Sequence, residues 1–306
     1  MDWITLAKFA ILATFGVQVV HWLLKRRKDA QLAKWRSGPI AEAEQRWLDR
    51  TEQTRRGLVR PGLRGKAIAN SKPGPLDTRV GGPLIVAKGT QTPSNEAGQA
   101  LCPLLVIRLS DLPDVEGNVL PRDGWVQVLV EAHEPWEMPT PTAQGASFRV
   151  LHYPAGTEFD VHPVDMPAAL DHLAWDSPEE DAALLIAGYS LEFEPVQDPA
   201  LNTHYKLESL PDGPCTKAFD EAFDAMYYAN QEERPGYDVM IGGQAVFTQE
   251  DIRYEPEYEG FENLIGLSAS GSVFAWGDSG EGTIMVPEKD LRSGRLQNAV
   301  FYFDFH

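Results

Sequence analysis

Two short segments, Gly124-Trp-Val-Gln-Val128 and Gly282-Thr-Ile-Met-Val286, decide the fold that we predict for this chain. Each begins at a glycine and continues with residues typical of a strand, and the two lie 158 residues apart. Further matches in the same order are Leu109-Ser110 with Leu267-Ser268, also offset by 158, and Arg79-Val80-Gly81-Gly82 with Met240-Ile241-Gly242-Gly243, offset by 161. Agreement in order and spacing indicates an internal duplication. We therefore expect a β-rich body of two related halves that share one core.

The rest of the body, from about residue 77, alternates between short β-rich runs and turn residues. Strands are predicted at residues 84–87, 104–109, 125–131, 148–153, 273–276, 283–286 and 299–303. Apolar stripes at helical spacing predict helices at 179–187 and 216–232. Strands that are interrupted by a few segregated helices favour an α+β fold over a regular alternation of strand and helix.

The C-terminal part of the body carries the motif Phe274-Ala-Trp-Gly-Asp-Ser-Gly280, then Thr283-Ile-Met-Val-Pro-Glu-Lys-Asp-Leu291 and an aromatic terminal strand. A Gly-Gly pair and a strand that ends in Leu-Ser precede the motif. This order resembles the YwqG-like family of bacterial proteins, a group of unknown function, over residues 78–306. The resemblance implies a duplicated α+β fold, and it implies no reaction, cofactor or catalytic residue.

The N-terminus is predicted to cross a membrane. Residues 9–24 carry no charge, and counting back past Lys8 to Trp3 extends the stretch to 22 residues. This is long enough for a spanning helix, which needs about 20 residues, if the Lys8 side chain reaches the near interface. Lys25, Arg26, Arg27 and Lys28 follow at once, and such clusters stay on the cytoplasmic side. We therefore expect residues 1–28 to be the anchor and basic flank of a single-pass protein of the bacterial inner membrane, with its body in the cytoplasm. An interfacial amphipathic helix or a buried globular helix are the alternatives.

Residues 29–76 are predicted to form a basic helical stalk and a linker, followed by the acidic domain at 77–306. Residues 1–72 hold 15 Lys and Arg against 6 Asp and Glu, whereas the remainder holds 12 against 39. Glycines and prolines between 57 and 75 are typical of a linker. The basic residues of the stalk and linker are expected either to face anionic lipid headgroups or to neutralise the acidic body; they are Arg55, Arg56, Arg60, Arg64 and Lys66. A body of this charge excludes nucleic acid as the main partner.

The loop Trp276-Gly-Asp-Ser-Gly-Glu-Gly282 is the densest candidate site. Three glycines let a loop approach a ligand closely, so Trp276, Asp278 and Ser279 are candidate ligand or partner contacts. The structural alternative is a hairpin connection between strands at 272–276 and 282–286, in which Asp278 caps backbone amides. Ser279 lacks the Gly-x-Ser-x-Gly pattern of a hydrolase nucleophile.

No cofactor or metal is predicted. Nitrogen and oxygen donors occur at His152, Asp160, His162, Asp165, Asp171 and His172, but their spacing matches no metal motif. Two cysteines, Cys102 and Cys215, are too few for a disulfide framework and suit a reducing compartment.

These observations predict a binding function. The acidic stretches at 232–233, 250–251 and 255–259 are either a solvated face or a docking surface for a basic partner. We predict a membrane-tethered protein-binding or scaffold module, of which one form would neutralise a toxin-like partner, rather than an enzyme. The alternative is a hydrolytic enzyme with carboxylate and histidine chemistry around Asp278.

Overall fold

The computed structural model describes residues 42–115, 119–131, 141–163, 188–200, 204–208, 221–223, 236–271, 273–274, 280–291 and 293–304. The predicted anchor, its basic flank Lys25 to Lys28 and the predicted helix at 179–187 lie outside these residues. Of the helix at 216–232, only residues 221–223 are described, and they are helical. Among the described residues, no helix has the length and apolar character that crossing a membrane requires.

The described chain contains a long N-terminal helix, thirteen strands and a few short helical turns. The helices are α1 (Glu42–Gly57), α2 (Tyr205–Glu208) and α3 (Glu288–Leu291), with 3-10 turns at Leu109–Asp111 and Ile252–Tyr254. The strands are β1 (Arg60–Ala67), β2 (Arg79–Val80), β3 (Leu84–Ala87), β4 (Cys102–Arg108), β5 (Trp125–Val130), β6 (Thr142–Ala143), β7 (Phe148–Tyr153), β8 (Phe159–His162), β9 (Tyr189–Asp198), β10 (Val239–Gly242), β11 (Phe261–Ser268), β12 (Glu281–Pro287) and β13 (Val300–Asp304). The prediction of a β-rich body with few helices is confirmed.

Eleven strands form one antiparallel sheet in the order β6-β13-β12-β11-β10-β1-β9-β2-β4-β5-β7. The two end strands, β6 and β7, follow each other in the chain, so the sheet curls until its ends nearly meet. Phe148 of β7 stacks on Phe301 of β13 with 5.5 Å between ring centroids. The result is a nearly closed sheet with one seam, which lies between β7 and the segment that precedes β13.

The strand order repeats on the two sides of the central pair β1 and β9. β2, β4, β5 and β7 follow one another on one side, and β10, β11, β12 and β13 follow on the other. Both second strands carry a bulge, between Pro103 and Leu105 in β4 and between Asn263 and Ile265 in β11. The four-strand order and the bulge therefore recur in both halves.

The register of this repeat differs from the sequence prediction by two residues. Leu109 N–H donates to the carbonyl of Gly124 at 3.0 Å, and Ala269 N–H donates to the carbonyl of Gly280 at 3.1 Å. Gly124 therefore corresponds to Gly280, and the predicted match with Gly282 is wrong. The 158-residue offset came from the two Leu-Ser dipeptides and from the two segments that begin at Gly124 and Gly282, and matches this short carry too little pattern to fix a register.

The predicted linker at 57–75 is wrong, because it contains the central strand β1. β1 pairs with β9 from Arg60 to Ala67 and with β10 from Gly62 to Gly65. A Cβ atom at Gly65 would lie 2.6 Å from the ring of Phe193, so this glycine permits close packing in a strand and does not mark a turn. Glycine and proline predict loops from local propensity, and here neighbouring strands override that preference.

The basic residues of the stalk pair within the protein. Arg64 Nε lies 2.9 Å from a carboxylate oxygen of Glu194 on β9, and Arg60 lies 3.3 Å from Glu262 on β11. Arg55 bonds Glu52 within α1. The alternative in which these arginines neutralise the protein's own carboxylates therefore fits the structure better than headgroup binding. α1 itself packs on the body, with Leu48 against Ala222.

One apolar core lies on the inner face of the sheet and draws on both halves. Its residues include Val126 and Val128 of β5, Ile284 and Val286 of β12, and Leu63 of β1. A second layer, formed by the pair β3 and β8, covers part of the outer face. There Leu84 and Val86 pack on Leu129. The predicted strand at 273–276 is wrong where it is described, since Val273 and Phe274 lie in the β11–β12 connection with their side chains in the core.

Candidate functional site

The loop that the sequence singled out lies mostly beyond the described residues. Trp276, Asp278 and Ser279 are not among them, so the ligand-contact and hairpin interpretations of these residues both stay predictions. The flanking residues are described: β11 and β12 pair up to Ser268 and Glu281. Residues 269–280 therefore connect two paired antiparallel strands, and the first of these strands is β11 rather than residues 272–276.

Polar groups at the base of this loop bond to one another. The Ser268 hydroxyl donates to Glu281 at 2.6 Å, and the Tyr237 hydroxyl donates to the second oxygen of the same carboxylate at 3.3 Å. Asp238 accepts from the backbone N–H groups of Ala67 and Val273. Amide capping of the kind predicted for Asp278 is thus supplied here by Asp238. Through Asp238, which is buried, the connection at Val273 is joined to Ala67 at the end of β1.

The other predicted donor residues do not assemble into a site. His152 Nε2 lies 3.0 Å from the Asp123 carbonyl, while Asp160 and His162 are exposed on β8. Within the described part of the chain, no three His, Cys, Asp or Glu side chains come together as metal ligands. Burial raises the pKa of the Cys102 thiol to about 11, which keeps it protonated and unreactive. Asp165, Asp171, His172 and Cys215 lie outside the described residues.

A groove of about 480 Å³ opens at the seam of the sheet. One wall is β7, and the other is the segment that leads into β13. The lining residues are Gln144, Gly145, Arg149, Val150, Leu151, His152, Gly294, Leu296 and Gln297. A second cavity of about 400 Å³ lies beside the 3-10 turn at Leu109–Asp111 and is lined by Leu109, Ser110, Leu112, Pro113, Asp114 and Arg122. The seam groove is the more informative of the two because it follows the edge of a strand.

β7 has one paired edge and one edge that faces the groove. All six of its residues pair with β5 on the first edge. Backbone groups of alternate residues point to opposite sides of an antiparallel strand. Val150 N–H donates to the side chain of Gln144 at 2.7 Å, so Val150 and His152 direct their backbone groups into the seam. The Val150 carbonyl and the backbone N–H and carbonyl of His152 have no hydrogen-bond partner among the described residues.

The Gln144 side chain bridges one end of the seam. Its Oε1 accepts from Val150 N–H at 2.7 Å, and its Nε2 donates to the carbonyl of Leu296 on the opposite wall. Gly145 N–H also donates to the Phe148 carbonyl at 2.9 Å. The Gln144 amide thus occupies the position that a peptide group of an additional strand would take, and it protects this end of the edge from other chains.

The charge of the groove contrasts with the charge of the whole chain. The chain carries a net charge of −18, yet among the described residues no carboxylate lines the groove, and Arg149 is the one permanently charged residue there. Arg149 is half-buried and donates through Nε to the Gly145 carbonyl at 3.0 Å. In the part of the chain that the structure describes, its remaining N–H donors are available to a ligand. The sequence predicted β7 but gave no signal that its second edge is exposed, because that depends on where the two ends of the sheet meet.

Comparison with known proteins places this fold in a family. The family model covers residues 78–304, or 227 of the 306 residues, and is described as a domain of unknown function, DUF1963. No curated protein matches the chain. The matched region contains every residue of the seam groove, whereas α1 and β1 precede it. Because the match spans well over half of the sequence, the chain belongs to the DUF1963 family, whose function is not known.

Proposed function

We propose that this protein is a protein-binding module that takes an extended segment of its partner into the seam, beside β7. The observation that carries the proposal is the edge of β7 at residues 150–152, where three backbone groups face the groove without a partner in the described structure. Strand addition satisfies such groups by main-chain hydrogen bonds, and this is a common mode of peptide recognition.

The composition of the groove supports binding over catalysis. The lining residues that the structure describes include one arginine, one histidine and two glutamines, and none of them is a carboxylate or a hydroxyl or thiol nucleophile. The ring of His152 is already engaged with the Asp123 carbonyl. A hydrolytic site needs a nucleophile or activated water beside a base, and these lining residues do not supply that arrangement.

Substitution of His152 tests the proposal. Its backbone N–H points into the groove and takes no part in the ladder with β5, so His152→Pro removes one edge donor and leaves the ladder bonds in place. His152→Val is the matched control, because it loses the same imidazole but keeps the N–H. We expect the full-length chain, used as bait in its native cells, to retain partners as the Val variant and to lose them as the Pro variant.

Hydrogen exchange provides an independent measurement. In the purified full-length protein, the amide of His152 should exchange fast, whereas the amides of Leu151 and Tyr153, which face β5, should be protected. Partner binding should slow exchange at His152. Strong protection of this amide in the free protein would mean that the edge is already covered, and equal partner retention by the Pro and Val variants would also contradict the proposal.

The membrane attachment is a separate proposal. We propose that residues 3–24 anchor the module in the bacterial inner membrane, with Lys25 to Lys28 and the body in the cytoplasm; the uncharged run and the basic cluster support it. Protease added to intact spheroplasts should leave the body uncut, and digestion of the body from outside would contradict the orientation.

The finer relationships are also proposals. The Phe274 to Leu291 motif supports a YwqG-like relationship within the family, and the repeated strand order supports an origin by duplication. The acidic body supports a basic partner, for which a neutralised toxin-like protein is one candidate class.

A further inference from the structure

The seam groove is closed at one end and open at the other. At the end nearest Phe148, the Gln144 side chain spans the two walls, and Phe148 stacks on Phe301 with 5.5 Å between centroids. Towards the other end, the backbone of His152 has open positions in the described structure. A segment that lies along β7 therefore has to end where it meets Gln144.

The direction of such a segment follows from the sheet. Every described strand pair of the sheet is antiparallel, and β7 runs from the closed end to the open end. A strand that continues this pattern beside β7 runs the opposite way, from His152 towards Gln144. Its C-terminal end consequently lies at the closed end, where there is no space for the chain to continue.

Arg149 lies at this closed end. Its Nε donates to the Gly145 carbonyl, which fixes the guanidinium beside Gln144. Arg149 is half-buried, and no carboxylate lies among the lining residues that the structure describes, so it presents N–H donors in a fork that suits a carboxylate. We infer that the groove binds the C-terminus of a partner chain, antiparallel to β7, with the terminal carboxylate on Arg149. This inference rests on the proposed function.

Three synthetic peptides test it, because a carboxylate could come from the chain terminus or from a side chain. The first is acetyl-Thr-Val-Thr-Val-Thr-Val as the free acid, the second is its C-terminal amide, and the third is the amide with glutamate as its last residue. Binding to the full-length protein in detergent micelles is measured by calorimetry. Charge-assisted hydrogen bonds predict that the free acid binds about 10-fold or more tightly than the amide.

Variants of Arg149 test whether this residue causes the preference for the free acid. We expect Arg149→Gln to abolish the preference for the free acid and Arg149→Lys to keep part of it. Arg122→Gln, which changes an exposed arginine that does not line the groove, should leave the preference intact. Equal binding of acid and amide, or a preference for the glutamate-bearing amide, would overturn the C-terminal inference while leaving strand addition standing. Absence of binding by all three peptides, or binding that His152→Pro leaves unchanged, would overturn the proposed function as well.

Discussion

Gln127 offers a direct test of how this sheet is stabilised. It lies in the middle of β5, is fully buried, and neither its Nε2 nor its Oε1 has a hydrogen-bond partner in the described structure. Its cross-strand neighbours are Val106 and Leu151. Side chains alternate along a strand, so Gln127 shares the outer face with Leu129 and points away from the central core of Val126 and Val128. A polar amide therefore occupies an apolar layer.

The size of the effect follows from this burial. A buried amide group without a partner costs about 1–3 kcal/mol. Methionine has nearly the length and volume of glutamine, so Gln127→Met removes that cost without opening a cavity. We expect the free energy of unfolding to rise by about 2 kcal/mol. For a chain of this size, that corresponds to an increase in melting temperature of about 3 °C.

The other half of the sheet supplies a matched control. Thr283 occupies the corresponding position on β12, opposite Gly266 as Gln127 is opposite Val106. Its hydroxyl donates to the Val246 carbonyl at 3.0 Å. Thr283→Val breaks that bond, so we expect a loss of about 0.5–1.5 kcal/mol, opposite in sign to the change at Gln127.

Thermal unfolding of the two variants and the parent, followed by circular dichroism, measures both effects under one condition. An unchanged or lower melting temperature for Gln127→Met would refute the reasoning, because it would show that the amide is satisfied in solution. A stabilising Thr283→Val would refute the comparison of the two halves.

Three further predictions concern buried groups and the N-terminal strand. Burial, with Arg253 nearby, lowers the pKa of His204 to about 3, so this histidine is neutral in the folded state. The unfolded chain gains a proton at His204 below about pH 6.5, and the free energy of unfolding should therefore fall by on the order of 3–5 kcal/mol as the pH drops from about 6.5 towards 3. Urea titrations at several pH values should give a flatter profile for His204→Gln, and parallel profiles would contradict this. Arg79 is fully buried and donates to the carbonyls of Pro75, Gly81 and Pro83. Arg79→Met should therefore lower the free energy of unfolding, measured by chemical denaturation, by on the order of 3 kcal/mol. No change would show that water replaces the arginine at these carbonyls. A chain that begins at residue 42 should unfold cooperatively while one that begins at residue 77 should not, because β1 pairs on both sides; identical melting curves for the two would contradict a central role for β1.

Local sequence pattern predicted several of the strands that are rich in apolar residues, but it missed β9 and β10. β7 was predicted with its observed bounds, and β3 likewise, because their apolar residues and flanking turns are both local signals. β1 was missed since Pro61, Gly62 and Gly65 contradict strand propensity, and pairing with two distant strands overrides them.

Local sequence pattern did not predict the seam groove either, because the groove also depends on contacts between distant parts of the chain. Arg149 and Gln144 acquire their roles only when the ends of the sheet meet, and this depends on contacts such as that between Gln144 and Leu296, 152 residues apart. A glycine-rich segment such as the one around Asp278 can be recognised from the sequence alone. An exposed strand edge cannot, because it depends on which distant strands pair with that strand. Sequence reasoning therefore favoured the loop and overlooked the groove.

The central position of β1 has a consequence for how the protein is made. Leu63 pairs with Pro195 on one side and with Ile241 on the other, so its second partner is synthesised 178 residues later. At typical translation rates of 5–20 residues per second, this delay is about 10–35 s. For the first 132 residues of that interval, β1 has neither of its neighbours, because Pro195 of β9 is synthesised before Ile241 of β10. The strands β2, β4, β5 and β7 likewise have no β9 to join until that point. The nascent protein thus exposes unpaired strand edges until β9 and β10 have been synthesised, and such edges favour aggregation during synthesis.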